Sequence, residues 1–319
     1  MTKGWKAMDI TRRELGALGA GALGALMTED ANAAAAPALA GACDSHVHII
    51  GPQDKYPLVP NRAYTPPPAS VAQLKALRAR LGISRNVLVQ PSFYGTDNSC
   101  MLDAMAELGP TARGIAVVAP NAPDQTLRDL DAKGVRGVRI NLESSGNRDP
   151  KAAAALLAQY AKKVEPLNWH IQIYAAITVI GQIAGQIADL KVPVVIDHFG
   201  QPVAAGGFGQ RGFGGLYDLV RARRVYVKLS APYRVSKLPD YSDTTWLGRT
   251  LMQAAPERML WASDWPHTNA IPGKPLTEVT PFSKIDDTAV LKLFTSWCPD
   301  EKTRKTILVD TPAKLYRFA

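Results

Sequence analysis

From Ala42 onward, short runs of β-branched and other apolar residues alternate with longer stretches in which apolar residues recur every three or four positions. The first pattern is that of a buried strand and the second that of an amphipathic helix, so their alternation predicts a parallel sheet with crossover helices. Eight apolar runs are expected as strands: 43–49, 86–92, 113–118, 137–141, 170–174, 194–198, 225–230 and 259–264. Several are apolar almost throughout, as strands covered on both faces must be. Ser70 is placed to cap a helix whose apolar positions Val71, Leu74, Leu77 and Leu81 share one face before Gly82 ends it. Ile180, Ile183, Ile187 and Leu190 repeat that spacing ahead of the sixth strand. No Gly-rich dinucleotide turn follows the first strand, so eight strand-helix units predict a single, distorted (β/α)8 TIM barrel over an open sheet. The Gly- and Phe-rich segment 206–215 follows the sixth strand, where an active-site loop is expected.

Composition narrows this picture. The 319 residues, 46% hydrophobic and 20% charged, suit one barrel with a sizeable core. The net charge of +9 comes from Lys and Arg scattered along the chain without interleaved aromatics, which argues against nucleic acid and for a few inward-facing Arg residues that grip a small anion. Cys43, Cys100 and Cys298 have no metal-type spacing and read as buried small residues. Residues 1–36 read as a Tat-like signal segment: the Arg12-Arg13 pair, a weakly apolar stretch to Met27 and a small-residue site ending at Ala33. The apolar stretch is too short and Gly-rich for a membrane span, so the expected destination is the periplasm or exterior, with the barrel spanning 37–319.

The candidate chemistry lies in the histidines. Only five are present, and His46 and His48 stand two apart on the first strand, which turns both to one face. His198 ends the sixth strand and Asp264 the eighth. The C-terminal ends of barrel strands converge on one mouth, so these four groups are expected to meet there. A lone buried histidine is usually structural, but four ionisable groups in one low-dielectric mouth point to a site. His170 begins its strand and belongs to the opposite, stabilising face, and alternation is expected to turn Asp197 outward toward the helices.

The stretches Asp44-Ser45-His46-Val47-His48, Ile196-Asp197-His198-Phe199-Gly200 and Ser263-Asp264-Trp265-Pro266 resemble the amidohydrolase-2 branch of the amidohydrolase superfamily. Within it the likeness is to the lactonases of 2-pyrone-4,6-dicarboxylate and 4-sulfomuconolactone. The resemblance implies that Asp264 takes a proton from water while His46, His48 and His198 polarise the lactone carbonyl. It also implies that Tyr64, Ser92, Arg139, Tyr174, Arg234 and Asn269 hold an anionic substrate, with Arg148 as a further arginine if the loop after the fourth strand is longer here. Two or three Arg at one mouth would make forked contacts with carboxylate or sulfonate.

Two imidazoles from one strand, a third and a carboxylate also form a plausible site for one divalent metal, zinc by ligand type, with a position left for water. The binuclear members of the superfamily place a Lys or Glu on strand four and a His on strand five, where this chain has Arg139 and Tyr174. The resemblance leaves one metal or none open, because a lactone's reactive ester allows either. The expected activity is hydrolysis of a small anionic lactone. The rivals are a sugar-acid lactonase or lactone isomerase, a metal-dependent decarboxylase of the same superfamily, and a non-catalytic exported binding protein.

Overall fold

All eight apolar runs form strands in the computed structural model, which describes residues 39–144 and 146–319. They are β1 (Cys43–Val47), β2 (Arg85–Val89), β3 (Ala112–Ala116), β4 (Val135–Asn141), β5 (His170–Tyr174), β6 (Val194–Ile196), β7 (Val225–Ser230) and β8 (Met259–Ala262). All pair in parallel in sequence order, with helices between them. The expected signal segment lies outside the described residues. No described helix is long and apolar enough to cross a membrane.

Local chemistry sets the helices as anticipated where the caps are strong. Ser70 Oγ accepts from the Gln73 backbone N–H at 3.3 Å while Gln73 Oε1 accepts from the Ser70 N–H at 2.8 Å, a reciprocal cap. The helix Val71–Leu81 buries the four expected side chains and ends at Gly82 in the left-handed region. Before β6 the structure departs from a single helix: Ile177–Gln182 and Ala184–Asp189 are separate, broken at Ile183. There Gly181 touches Gly212, and a Cβ on Gly181 would lie 2.4 Å from the Gly212 Cα. The 206–215 segment therefore packs on this helix pair, and the expectation of an active-site loop is corrected: none of its residues lines the cavity at the barrel mouth.

The seam between β8 and β1 is the irregular part of the barrel. One parallel bridge joins Val47 to Trp265, with His48 N–H donating to Trp265 O at 2.8 Å and Asp264 N–H to His46 O at 3.0 Å. Below it Asp44 Oδ1 accepts from the backbone N–H groups of His46 at 3.2 Å and Ser263 at 3.0 Å, a side chain in place of a ladder carbonyl. Across β1 and β2, Asp44 faces Asn86 and Val47 faces Leu88, so β1 carries one extra residue. Such a bulge resets the inward phase of the strand. Cys43 packs inside with Val87, Val89, Ile115, Val195, Tyr226, Leu260 and Tyr316, and above the bulge His46 and His48 are the inward residues.

The interior thus has a floor that is apolar apart from His170 and, above it, a polar layer. Arg139, Gln172, Asp197 and Lys228 are all buried where barrels usually carry branched aliphatics. Because Asp44 closes the seam directly beneath His46 and Asp264, Asp44→Ala should strand two buried N–H groups. A loss of about 2–4 kcal/mol in urea unfolding is expected, from the cost of each unsatisfied donor, and a loss below ~0.5 kcal/mol would show that the seam closes without it.

Candidate active site

Four side chains far apart in sequence meet at the top of the barrel. His46 and His48 come from β1, while His198 and Asp264 sit just past the ends of β6 and β8 with φ of 50° and 67°. Those left-handed turns aim side chains that a continuing strand would send elsewhere; such conformations in non-glycine residues cluster at functional sites. The Nε2 atoms of His46, His48 and His198 lie 3.6, 3.7 and 3.8 Å from Asp264 Oδ1. The other carboxylate oxygen accepts from Tyr233 Oη at 2.7 Å and Arg234 Nε at 2.8 Å. Burial by itself would push the Asp264 carboxyl up, yet the Arg234 guanidinium, the largest opposing effect, holds it well below the usual carboxylate range.

The imidazoles are neutral for the opposite reason. Burial, the largest effect, lowers His48 and His198 to about 4, and it lowers His46 well below 6.5 with the Lys228 ammonium adding to the shift. Each ring is also held from behind. His48 Nδ1 is 2.7 Å from Val89 O, His198 Nδ1 is 2.9 Å from Ser230 Oγ, and His46 Nδ1 is 3.2 Å from Lys228 Nζ and 3.3 Å from Asp197 Oδ1.

A cavity of about 280 Å³ opens above this cluster. Of the residues expected from the sequence, His48, Tyr64, Ser92, Arg139, Tyr174, His198, Arg234 and Asp264 line it, and His46 lies directly behind. Arg139 is buried, donates to Gln90 O at 3.2 Å and lies over the Tyr174 ring. Tyr64 Oη donates to Thr268 Oγ1 at 2.9 Å. Arg148 and Asn269 are not among the lining residues: Asn269 is exposed, and Arg148 forms a forked pair with Glu143 at 2.6 and 2.7 Å. His170 sits buried at the start of β5 against Tyr316, on the barrel floor as expected.

Asp197 requires a correction. The strand ends at Ile196, Val195 is its inward residue, and Asp197, two further on, therefore also points inward. His198 reaches the mouth through its positive φ instead of through alternation. Asp197 Oδ2 accepts from Gln172 Nε2 at 2.9 Å, and Oδ1 lies 3.3 Å from Lys228 Nζ. Lys228, wholly buried on β7, escaped the sequence reading along with Gln172 and Tyr233. Its signal was present, since a Lys within Val-Tyr-Val-Lys-Leu-Ser breaks an otherwise apolar barrel strand.

The donor set fits a zinc ion by spacing. Tetrahedral ligands roughly 2.0–2.1 Å from zinc stand roughly 3.4 Å from one another, and His46 Nε2 lies 3.3 Å from His48 Nε2 and 3.6 Å from Asp264 Oδ1. Val89 O behind His48 and Ser230 Oγ behind His198 are partners that can orient metal-bound imidazoles, whereas His46 has the Lys228 ammonium behind it as well as Asp197.

Residues 43–318 match the family described as amidohydrolase. The chain is 34% identical over 280 residues to 4-sulfomuconolactone hydrolase of Hydrogenophaga intermedia, covering 86% of this chain and 88% of that one. It is 34% identical over 288 residues to the 2-pyrone-4,6-dicarboxylate hydrolase of Comamonas testosteroni, covering 87% and 90%. Among solved structures it is similar to a probable 2-pyrone-4,6-dicarboxylic acid hydrolase of Acinetobacter baumannii with citric acid bound, at 27% identity and a TM-score of 0.76, covering 87% of this chain and all of that one.

The neutral imidazoles fix a pH dependence of stability. His48 and His198 at about 4 and His170 at about 3 lie below the 6.5 of an unfolded imidazole, so between those values the unfolded chain binds more protons. Their contribution is complete above pH 6.5 and is lost as pH falls toward 4. Asp44, pushed up by burial to about 7, acts in the opposite sense between 3.8 and 7, but as one group against three. Thermal melts at constant ionic strength should show Tm falling from pH 7 to pH 4.5; a level or rising Tm would contradict a neutral histidine cluster.

Proposed function

The chain belongs to the amidohydrolase family, and on that premise we propose that it hydrolyses a small lactone bearing carboxylate or sulfonate groups. The observation that carries this reading is Asp264 Oδ1 within 3.6–3.8 Å of three imidazole Nε2 atoms, with Arg139 and Arg234 on the walls of the same cavity. The names of the two relatives, 4-sulfomuconolactone hydrolase and 2-pyrone-4,6-dicarboxylate hydrolase, support the anionic substrate class.

The mechanism follows from the polarity of these groups. A water seated between the lactone carbonyl and Asp264 Oδ1 loses a proton to that oxygen as its own oxygen bonds to the carbonyl carbon. Tyr233 and Arg234 hold Asp264 Oδ2, which leaves Oδ1 as the oxygen that faces the imidazoles. Negative charge on the carbonyl oxygen is met by an imidazole N–H of His198, which lines the cavity, in a site with little water, while His48 donates from Nδ1 to Val89 O. The ring C–O bond then breaks, the proton returns from Asp264 to the leaving oxygen, and one water has been consumed to give a new carboxylic acid. His46, His48, His198 and Asp264 would hold a zinc ion, which when bound supplies Lewis-acid polarisation of the carbonyl.

Arg139, which lines the cavity, donates to Gln90 O and lies 3.8 Å from Asp197 Oδ2, is a guanidinium that can take the anionic arm. Arg234 is committed to Asp264 at 2.8 Å and to Thr268 O at 3.2 Å, so its role is divided between substrate and base. Tyr64, Ser92 and Tyr174 add hydroxyl donors around the same space.

Asp264→Asn should lower kcat on an anionic lactone by about 10²–10⁴-fold, the usual worth of a positioned base, with acid release followed by a pH indicator and folding checked by circular dichroism. Turnover within a few fold of the parent would reject Asp264 as the base. Arg139→Met should raise KM for carboxylate- or sulfonate-bearing lactones by about 10-fold or more, as expected for a lost charged hydrogen bond, and leave KM for neutral lactones nearly unchanged. Equal effects on both classes would remove Arg139 from anion recognition.

A further inference from the structure

Beneath the catalytic mouth, His46 is connected to a group the reaction does not touch. Lys228 Nζ lies 2.6 Å from Gln172 Oε1, 3.2 Å from His46 Nδ1 and 3.3 Å from Asp197 Oδ1. An ammonium has three N–H bonds and no lone pair; two of these hydrogen-bond Gln172 Oε1 and His46 Nδ1, and Asp197 Oδ1 is its ion-pair partner. The Gln172 amide is fixed by the same count: its oxygen accepts from Lys228 while its nitrogen donates to Asp197 Oδ2 at 2.9 Å. Asp197, with Lys228 beside it in a wholly buried pair, keeps the amine charged.

At the far side, Val89 O is a carbonyl and can only accept, so His48 must carry its proton on Nδ1 and present a bare Nε2. That bare nitrogen lies 3.3 Å from His46 Nε2. A donor-only group at one end and an acceptor-only group at the other leave one direction for the chain between them: Lys228 donates to His46 Nδ1, His46 Nε2–H donates to His48 Nε2, and His48 Nδ1–H donates to Val89 O. Asp197 Oδ1 is also 3.3 Å from His46 Nδ1, yet no hydrogen bond lies in line with that oxygen.

We propose that Lys228, acting with Asp197 and Gln172, is a positioning residue that keeps the His46 proton on Nε2, directed at His48, and so weakens the ability of His46 to bind a metal there. A metal ligand must offer a lone pair at the metal-facing nitrogen. With Lys228 present, freeing Nε2 requires the proton to move to Nδ1 and the ammonium to give up that partner. Without the ammonium, Nδ1–H donates to Asp197, the carboxylate-imidazole arrangement that favours metal. The inference concerns the imidazoles themselves and stands whichever lactone is the substrate.

Two measurements test it on the full chain stripped of metal by chelator. Long-range proton-nitrogen correlation spectra of the histidine rings, with the His46 signals assigned through His46→Gln, should show His46 protonated on Nε2 and His48 on Nδ1. A proton on His46 Nδ1 overturns the proposal. Separately, Zn2+ binding measured against a chromophoric chelator should tighten by on the order of 10–100-fold in Lys228→Met, the usual reach of a partner behind a metal ligand. An unchanged or weaker affinity overturns it. Because Lys228→Met leaves Asp197 as an uncompensated buried charge, Lys228→Met with Asp197→Asn is the companion variant; its neutral amide oxygen still accepts from Nδ1–H, and the same tightening is expected.

Discussion

Two buried ion pairs, Asp264 with Arg234 and Asp197 with Lys228, are the constraint on which the mouth of this barrel depends. Each places a carboxylate where desolvation would otherwise force it to take up a proton, and each supplies the nearby cation that prevents this. The three imidazoles lie between the two pairs. They remain neutral because burial penalises a further positive charge more than the carboxylates reward it. A charged carboxylate and neutral imidazoles therefore coexist within 4 Å, which the carboxylate would not sustain alone in a dry interior.

That arrangement explains why the barrel is irregular where it is. The β8 to β1 seam carries one bridge and the Asp44 side chain in place of a full ladder, and β1 carries a bulge beside it. A regular seam would fix the inward phase by strict alternation. The extra residue lets Cys43 belong to the floor and both His46 and His48 to the mouth. The same freedom appears at the ends of β6 and β8, where His198 and Asp264 turn into left-handed conformations. Strain and missing ladder bonds are tolerated because the buried polar network fixes these side chains from several directions.

The polar layer below the mouth separates this barrel from one packed only for stability. Branched aliphatics at Arg139, Gln172, Asp197 and Lys228 would pack with no desolvation cost, and buried charges seldom outperform them as stabilisers. Their value lies in direction. A hydrogen bond has a donor and an acceptor, so a layer of such groups transmits an orientation to the imidazoles above it that an apolar layer cannot.

The sequence by itself determined the eight strands, the reciprocal cap at Ser70 and the convergence of His46, His48, His198 and Asp264, because apolar periodicity and capping are local and barrel strands share one C-terminal rim. Its motifs also carried the family resemblance. Only the tertiary structure decided that Asp197 faces inward, that Arg148 is paired with Glu143 and does not itself line the cavity, that the 206–215 segment packs on a helix pair, and that Lys228 stands behind His46. Asp197 depends on where β6 ends, Lys228 on a partner 182 residues away, the 206–215 segment on the close approach of Gly212 to Gly181, and Arg148 on a local pairing that residue type alone does not select. Periodicity can give the face a side chain is meant to occupy, whereas the group waiting there is fixed only when the sheet closes.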